Sequence, residues 1–331
     1  MDLSENEVYP WIWESFLKKR GGMRPNESMS RHLKVASLLF TQAHLSGEPN
    51  AREAVLRGTR ESLNSVAGLG LDLVVTSESI EALAQNVEQA EDPARPGSLL
   101  QTYMEFAARE RCHVAGSVKL RVGGRVHNSA AFISPKGDFL GAYHKTYLTS
   151  SEIQEGLTPG KGPVIVDASW GRLGGAICFD LNFDELRLGY AALRPDLIVF
   201  PSMYHGGFMQ KIWAYSCRAF FVSALYFEGG GILDPLGEPL ALTDCYNFAA
   251  IARINLDRAV LHLDFNRAKF PEILRKYREE VRIVIPPNLA PAILYSESEK
   301  RSAMDIVREF DLKLLDHYFE ESAAANARAR A

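Results

Sequence analysis

The sequence predicts an α/β domain built on mixed β-sheets. Short apolar, strand-like runs alternate with segments of helical periodicity from about residue 31 onward. Two hairpin signals, SPKGD at Ser134–Asp138 and ILDPLGEPL around Pro235-Leu236-Gly237, interrupt that alternation. Nothing resembling a linker breaks residues 31–285. Hairpins join antiparallel strands and helical crossovers join parallel ones, so their mixture implies mixed sheets covered by helices.

Each element follows from its local pattern. Leu33–Phe40 (LKVASLLF) reads as a buried strand, and Asn50–Ala67 as a helix with Ala54, Leu56, Leu63, Val66 and Ala67 on its core side. GLGLDLVVTSE is a turn followed by a strand ending at Glu78. Leu99–Arg111 reads as a helix, Val114–Leu120 and Asn128–Ile133 as strands about the Gly123-Gly124 turn, and Phe139–Tyr143 as the next hairpin partner. Further on, Val164–Asp167 and Arg172–Cys178 are strand-like, Asp184–Leu193 is helical, Asp196–Phe200 is a strand and Phe208–Phe220 a helix. Val222–Tyr226, Gly231–Leu233 and Ala249–Ile254 complete the strands.

Residues 1–30 read as an N-terminal extension, with a short helix at Trp11–Lys19 and a GGMRPNESMS linker. Residues 31–285 read as the single domain. After Pro286-Pro287 the character changes, and 286–331 read as a C-terminal arm suited to a subunit interface, with a helix near Arg301–Tyr318 and a frayed AAANARARA end.

Bulk properties narrow the function. A net charge of −4 gives no footprint for nucleic acid or anionic membrane. No apolar run is long enough to span a bilayer, and the N-terminus lacks the basic-then-apolar order of a signal peptide. The 4 cysteines, Cys112, Cys178, Cys217 and Cys245, form no CxxC pair, so neither a disulfide framework nor a metal site is expected. A cytoplasmic, reducing setting follows as an expectation.

Three polar residues stand where apolar strands stop: Glu78 after DLVVTS, Lys145 after FLGAYH and Cys178 after RLGGAI. Carboxyl ends of strands commonly form sites in α/β proteins. A thiol of reference pKa ~8.5 needs help to become a nucleophile. A carboxylate can take its proton and later return it to a leaving amine, while an ammonium faces the developing oxyanion. A second carboxylate could orient the lysine, with Glu152 and Glu155 both near in sequence. Phe179, next after the cysteine, offers a backbone N–H to the oxyanion. Tyr204 and His205, in PSMYHGG after a strand, are expected to contact substrate. His144 reads as a strand-edge residue facing away, and Asp180 and Glu185 as ion-pair partners in the scaffold.

These segments resemble the nitrilase, or carbon–nitrogen hydrolase, superfamily. YHKTYLTSSEIQEGLTPG resembles its lysine segment, GRLGGAICFDLNFDELRLG its cysteine segment and GLGLDLVVTSE its first glutamate segment, in the family's order. The resemblance implies a catalytic set of Glu78, Lys145 and Cys178, with Glu155 preferred as second glutamate. It implies a four-layer αββα sandwich of two mixed sheets, a homodimer or larger homo-oligomer, and an enzyme without cofactor or metal. The implied substrate is a small amide or N-carbamoyl compound, attacked through a thioester. Phe179-Asp180 stand where true nitrilases carry Trp-Glu, which places nitrile hydrolysis second, beside acyl transfer. Ser77 and Asp184 replace family prolines, and Phe220-Phe221 replace a Glu-Asn pair. These departures mark a divergent member, for which a catalytically inactive binding or assembly protein is the alternative reading. A papain-like cysteine–histidine hydrolase is disfavoured by the α/β alternation.

Overall fold

The computed structural model describes residues 31–40, 50–78 and 87–330; the extension read over 1–30 lies outside the described residues. The chain runs β1 His32–Leu38, α1 Ala51–Asn64, β2 Leu73–Val75, α2 Ser98–Glu110, β3 His113–Val122, β4 Arg125–Ile133 and β5 Phe139–His144. It continues through α3 Ser150–Gln154, β6 Ile165–Ala168, β7 Gly171–Gly175, α4 Asp184–Leu193, β8 Leu197–Ser202, α5 Phe208–Cys217, β9 Phe220–Leu225, β10 Gly231–Leu233, β11 Pro239–Leu242 and β12 Ala249–Asn255.

The strands form two sheets of one plan, β12-β1-β2-β3-β4-β5 and β11-β10-β9-β8-β7-β6. In each, three central strands run parallel, joined by helical crossovers, and hairpins add antiparallel strands. The inner faces meet in a core that holds Phe132 and Tyr143 of the first sheet with Phe200 and Phe221 of the second. Helices α1 and α2 cover the outside of the first sheet through Leu63, Leu100 and Phe106. Helices α4 and α5 cover the second through Leu186, Tyr190 and Trp213. The result is a four-layer αββα sandwich.

The glycines of β7 are a packing requirement. A Cβ on Gly174 would lie 2.8 Å from Cε1 of Tyr190, and one on Gly175 would lie 3.0 Å from Cβ of Tyr143. Tyr190 lies against the strand and its hydroxyl accepts from Gly175 N–H (3.1 Å). Only a strand without side chains can pass between the two tyrosines and carry the chain to Cys178.

The domain boundary differs from expectation. β13 Arg258–His262, α6 Leu263–Asn266, α7 Phe270–Tyr277, β14 Val281–Val284, β15 Pro291–Ser296, α8 Ala303–Glu309 and α9 Leu315–Arg330 complete the described chain. The strands form a third, antiparallel sheet, β13-β15-β14, with its own core of Leu261, Phe270, Ile273, Leu294 and Ile306. The boundary read at 286 therefore falls inside a sheet in which Val284 pairs with Ile293. The break between sandwich and appended unit lies nearer residue 257, and 286–331 are not a separate arm. The helix read at Arg301–Tyr318 is two helices, because Leu312 and Leu315 turn inward where it would continue. The low-complexity end is helical to Arg330 rather than frayed, consistent with its alanine content.

Gly174→Ala should destabilise the fold by about 1–3 kcal/mol, because the added methyl must displace a ring in a closed core; urea unfolding of the variant checks this.

Candidate active site

The three strand ends converge. Glu78 follows β2 and is 4% exposed; Lys145 follows β5 and is 2% exposed. Lys145 Nζ donates to Glu78 Oε1 (3.1 Å) and to Glu152 Oε1 (3.0 Å), with Glu152 Oε2 at 2.9 Å. Asn128 Nδ2 donates to the same two carboxylates, at 2.9 Å to Glu78 and 2.8 Å to Glu152. Met203 N–H donates to Glu78 Oε2 (3.0 Å). An ammonium and two carboxylates are thus buried as one hydrogen-bonded set, as burial of charge requires.

Cys178 adjoins this set. Its thiol lies within electrostatic range of Glu78 and Lys145, whose opposite charges act on it in opposite directions. It does not end a strand as expected: β7 stops at Gly175, and Cys178 opens a short 3-10 turn, Cys178–Asn182. Its φ of 47° lies in the left-handed region, unusual for a residue with a side chain. A sharp turn after a strand is a recurrent way to present a nucleophile.

Asp180 holds that turn. Its buried carboxylate accepts from Ile177 N–H (2.9 Å) on the cysteine side, from Thr146 N–H (3.1 Å) and Tyr147 N–H (2.8 Å) on the lysine side, and from the Tyr143 hydroxyl (2.7 Å). It serves the scaffold through these hydrogen bonds, not through the ion pair expected for it. Burial raises its pKa to about 7, against the backbone donors that lower it.

The protonation states follow from burial and charge. Burial first, then the Glu78 charge, pushes the Cys178 thiol up to about 12, with Lys145 opposing. Burial works against the Lys145 ammonium, yet Glu78, Cys178 and Glu152 hold its pKa above the usual lysine range. Burial raises Glu152, but Lys145, Asn128 and Thr149 outweigh it and keep this carboxylate low. The resting site is a neutral thiol beside an ion-paired lysine.

Glu155, favoured from sequence, does not reach Lys145. Its carboxylate is exposed and lies 3.9 Å from Lys119 Nζ. Glu152 takes the place beside the lysine because Thr149-Ser150-Ser151-Glu152 forms a capping box at the start of α3. Thr149 N–H donates to Glu152 Oε2 (2.8 Å), which turns this carboxylate inward. Phe179 and Tyr204 stand partly exposed beside the thiol turn, and Tyr204 Oη lies 3.4 Å from Asn182 Oδ1. The His205 ring accepts from Gly207 N–H (3.1 Å) and lies against Gly229. His144 stacks on His127 (4.3 Å) and bonds Ser129 (2.8 Å), away from the thiol as expected; burial and His127 lower its pKa to about 4. The segment Pro201–Gly207 is expected from sequence at the pocket rim, but the Met203 N–H on Glu78 and the part played by Asn128 are not. A polar residue opening the apolar run NSAAFI, on the strand beside that of Lys145, was the available sign of Asn128.

Among the described residues no cluster of His, Cys, Asp or Glu is arranged to hold a metal ion, and no helix is long and apolar enough to cross a membrane. Cys112 and Cys217 are buried and free, their pKa raised to about 12 by burial.

An αββα sandwich that brings Glu78, Lys145 and Cys178 into one cluster is the arrangement of the nitrilase-like class. The sequence profile of the carbon–nitrogen hydrolases matches residues 34–227, and the chain belongs to that family. It is 24% identical over 248 residues to a chloroplastic omega-amidase of Arabidopsis thaliana, an alignment covering 63% of this chain and 66% of that relative. It is 24% identical over 252 residues to a deaminated glutathione amidase of Synechocystis sp., covering 66% of this chain and 92% of the relative. Among solved structures, the nitrilase-superfamily protein Nit3 of Saccharomyces cerevisiae superposes with a TM-score of 0.60 at 17% identity, over 80% of this chain and 98% of its own.

Asp180→Ala should leave the Ile177 and Tyr147 N–H groups without their acceptor and cost about 2 kcal/mol or more, read by urea unfolding. Glu78→Gln removes a charge that raises the Cys178 pKa, so alkylation of Cys178 by iodoacetamide should shift to lower pH; mass spectrometry across a pH series reads the shift.

Proposed function

We propose that the chain hydrolyses the C–N bond of a small amide or N-carbamoyl compound through a thioester on Cys178. The observation that carries this reading is the Glu78 carboxylate, which accepts from the buried Lys145 ammonium and acts electrostatically on the adjoining Cys178 thiol.

A thiol near pKa 12 is protonated at neutral pH, so the nucleophile forms only as its proton leaves. As Sγ attacks the carbonyl carbon, that proton passes to Glu78 and the carbonyl π electrons move to oxygen. Lys145 has three N–H donors and directs two at carboxylates; the third, with the Phe179 backbone N–H, faces the oxyanion. Glu152 and Asn128 orient the lysine. Collapse breaks the C–N bond, and Glu78 returns its proton to the departing nitrogen. Water then attacks the thioester, giving a proton to Glu78. Expulsion of Sγ, which recovers that proton, releases the acid. The amidase names of the relatives and the Phe179-Asp180 pair both favour an amide over a nitrile.

Intact-mass spectrometry after exposure to a mixed amide, carbamoyl and nitrile library should detect an acyl adduct on Cys178, and Cys178→Ala should abolish both adduct and turnover. Turnover surviving in that variant would overturn the mechanism; a folded wild-type chain forming no adduct would favour a binding protein with an inactive site. Glu152→Gln should lower kcat by roughly 10²-fold or more, whereas Glu155→Gln should change it by less than about threefold, in steady-state assays.

A further inference from the structure

The turn after Cys178 carries more aromatic surface than catalysis requires. Tyr147, two residues beyond Lys145, stacks face to face on Phe183, with ring centroids 3.6 Å apart and planes 3° from parallel. Phe179 meets Phe183 edge-on at 5.2 Å. Tyr204 stands across the turn and joins it through Asn182, whose Nδ2 donates to Phe179 O (3.0 Å). Phe179 is 39% and Tyr204 38% exposed. Rings locked against each other keep their orientation and offer apolar area to a ligand without first having to be ordered.

The charges beside these rings are unfavourable to an anion. Glu78, Glu152 and Lys145 together leave one net negative charge at the thiol. Glu185 accepts from the Tyr147 hydroxyl (2.9 Å) at the outer end of the stack. Among the described residues, cations of the surrounding elements are already engaged: Lys145 with two carboxylates, Lys119 with Glu155 and Arg187 with Asp184 (2.9 Å). A substrate carboxylate would bring like charge near like without a bidentate partner.

Building on the amidase reading above, we infer that the acyl side chain of the substrate is uncharged and aromatic or bulky apolar, seated on Phe179, Phe183 and Tyr147, and that a second carboxylate on the substrate is disfavoured. The acyl side is the relevant one because Phe179 adjoins the nucleophile and stays beside the acyl group through both half-reactions.

Three primary amides test this with the full chain: 3-phenylpropanamide, succinamic acid and propanamide, followed by ammonia release and by intact mass of Cys178. The expected result is a kcat/KM for the phenyl amide at least about tenfold above that of succinamic acid. Phe179→Ala should reduce the ratio of phenylpropanamide to propanamide about tenfold; Phe179 is exposed, so this variant tests recognition more than folding. Preference for succinamic acid, with its acyl group found on Cys178, would overturn the substrate class and leave the chemistry standing. Absence of both ammonia and adduct with all three amides, from folded protein, would overturn the amidase reading and this inference with it.

Discussion

One buried ammonium between two carboxylates governs this site. Removing charge from water costs several kcal/mol per ion, recovered only when geometry and hydrogen bonding are good. Lys145 meets that condition because three parts of the chain deliver their groups to one point: the end of β2 brings Glu78, the capping box of α3 brings Glu152 and β4 brings Asn128. Taking away any one leaves the others as uncompensated polar groups in the interior. The Asn128 amide shows the same tension, since its Nδ2 serves both acids while its Oδ1 has no partner among the described residues. A side chain with a donor on each face would be better satisfied there, but it would not hold two carboxylates at one distance.

The cysteine is fixed by a different device. Cys178 occupies a left-handed backbone conformation, and Asp180 draws the amides on both sides of the site toward one carboxylate. The segments carrying Cys178 and Lys145 are thereby joined through the backbone. The β7 glycines make this possible by letting the strand pass between Tyr143 and Tyr190. Packing, backbone strain and charge pairing converge on the same few residues.

Much of this was legible in the sequence, for identifiable reasons. Apolar runs ending in Glu78, Lys145 and Cys178 marked three points where strand-like segments stop, and residues just beyond strands of an α/β fold often meet in space. The second glutamate was misread because likeness in a GluGly-x-x-ProGly string outweighed a local rule: a threonine three residues ahead of Glu152 is a helix-start signature that turns that acid inward. The third sheet was missed because β13 and β14 are short, and β14 precedes the Pro286-Pro287 pair that suggested a boundary. Strand pairing across such a distance leaves no trace in periodicity. The helix read to Phe220 ends at Cys217 because Arg218 adopts a left-handed cap and Phe220 opens β9, a decision made by the sheet rather than by local propensity.

The raised pKa of the Cys178 thiol also bears on how the protein withstands its surroundings. Sulfur reacts with peroxides and stray electrophiles mainly as the thiolate, so a neutral thiol, held so by burial and the neighbouring Glu78 charge, resists oxidation to sulfenic acid while idle. On the mechanism proposed above, durability between turnovers and dependence on a general base during them have one origin, the carboxylate that keeps the sulfur neutral and then accepts its proton.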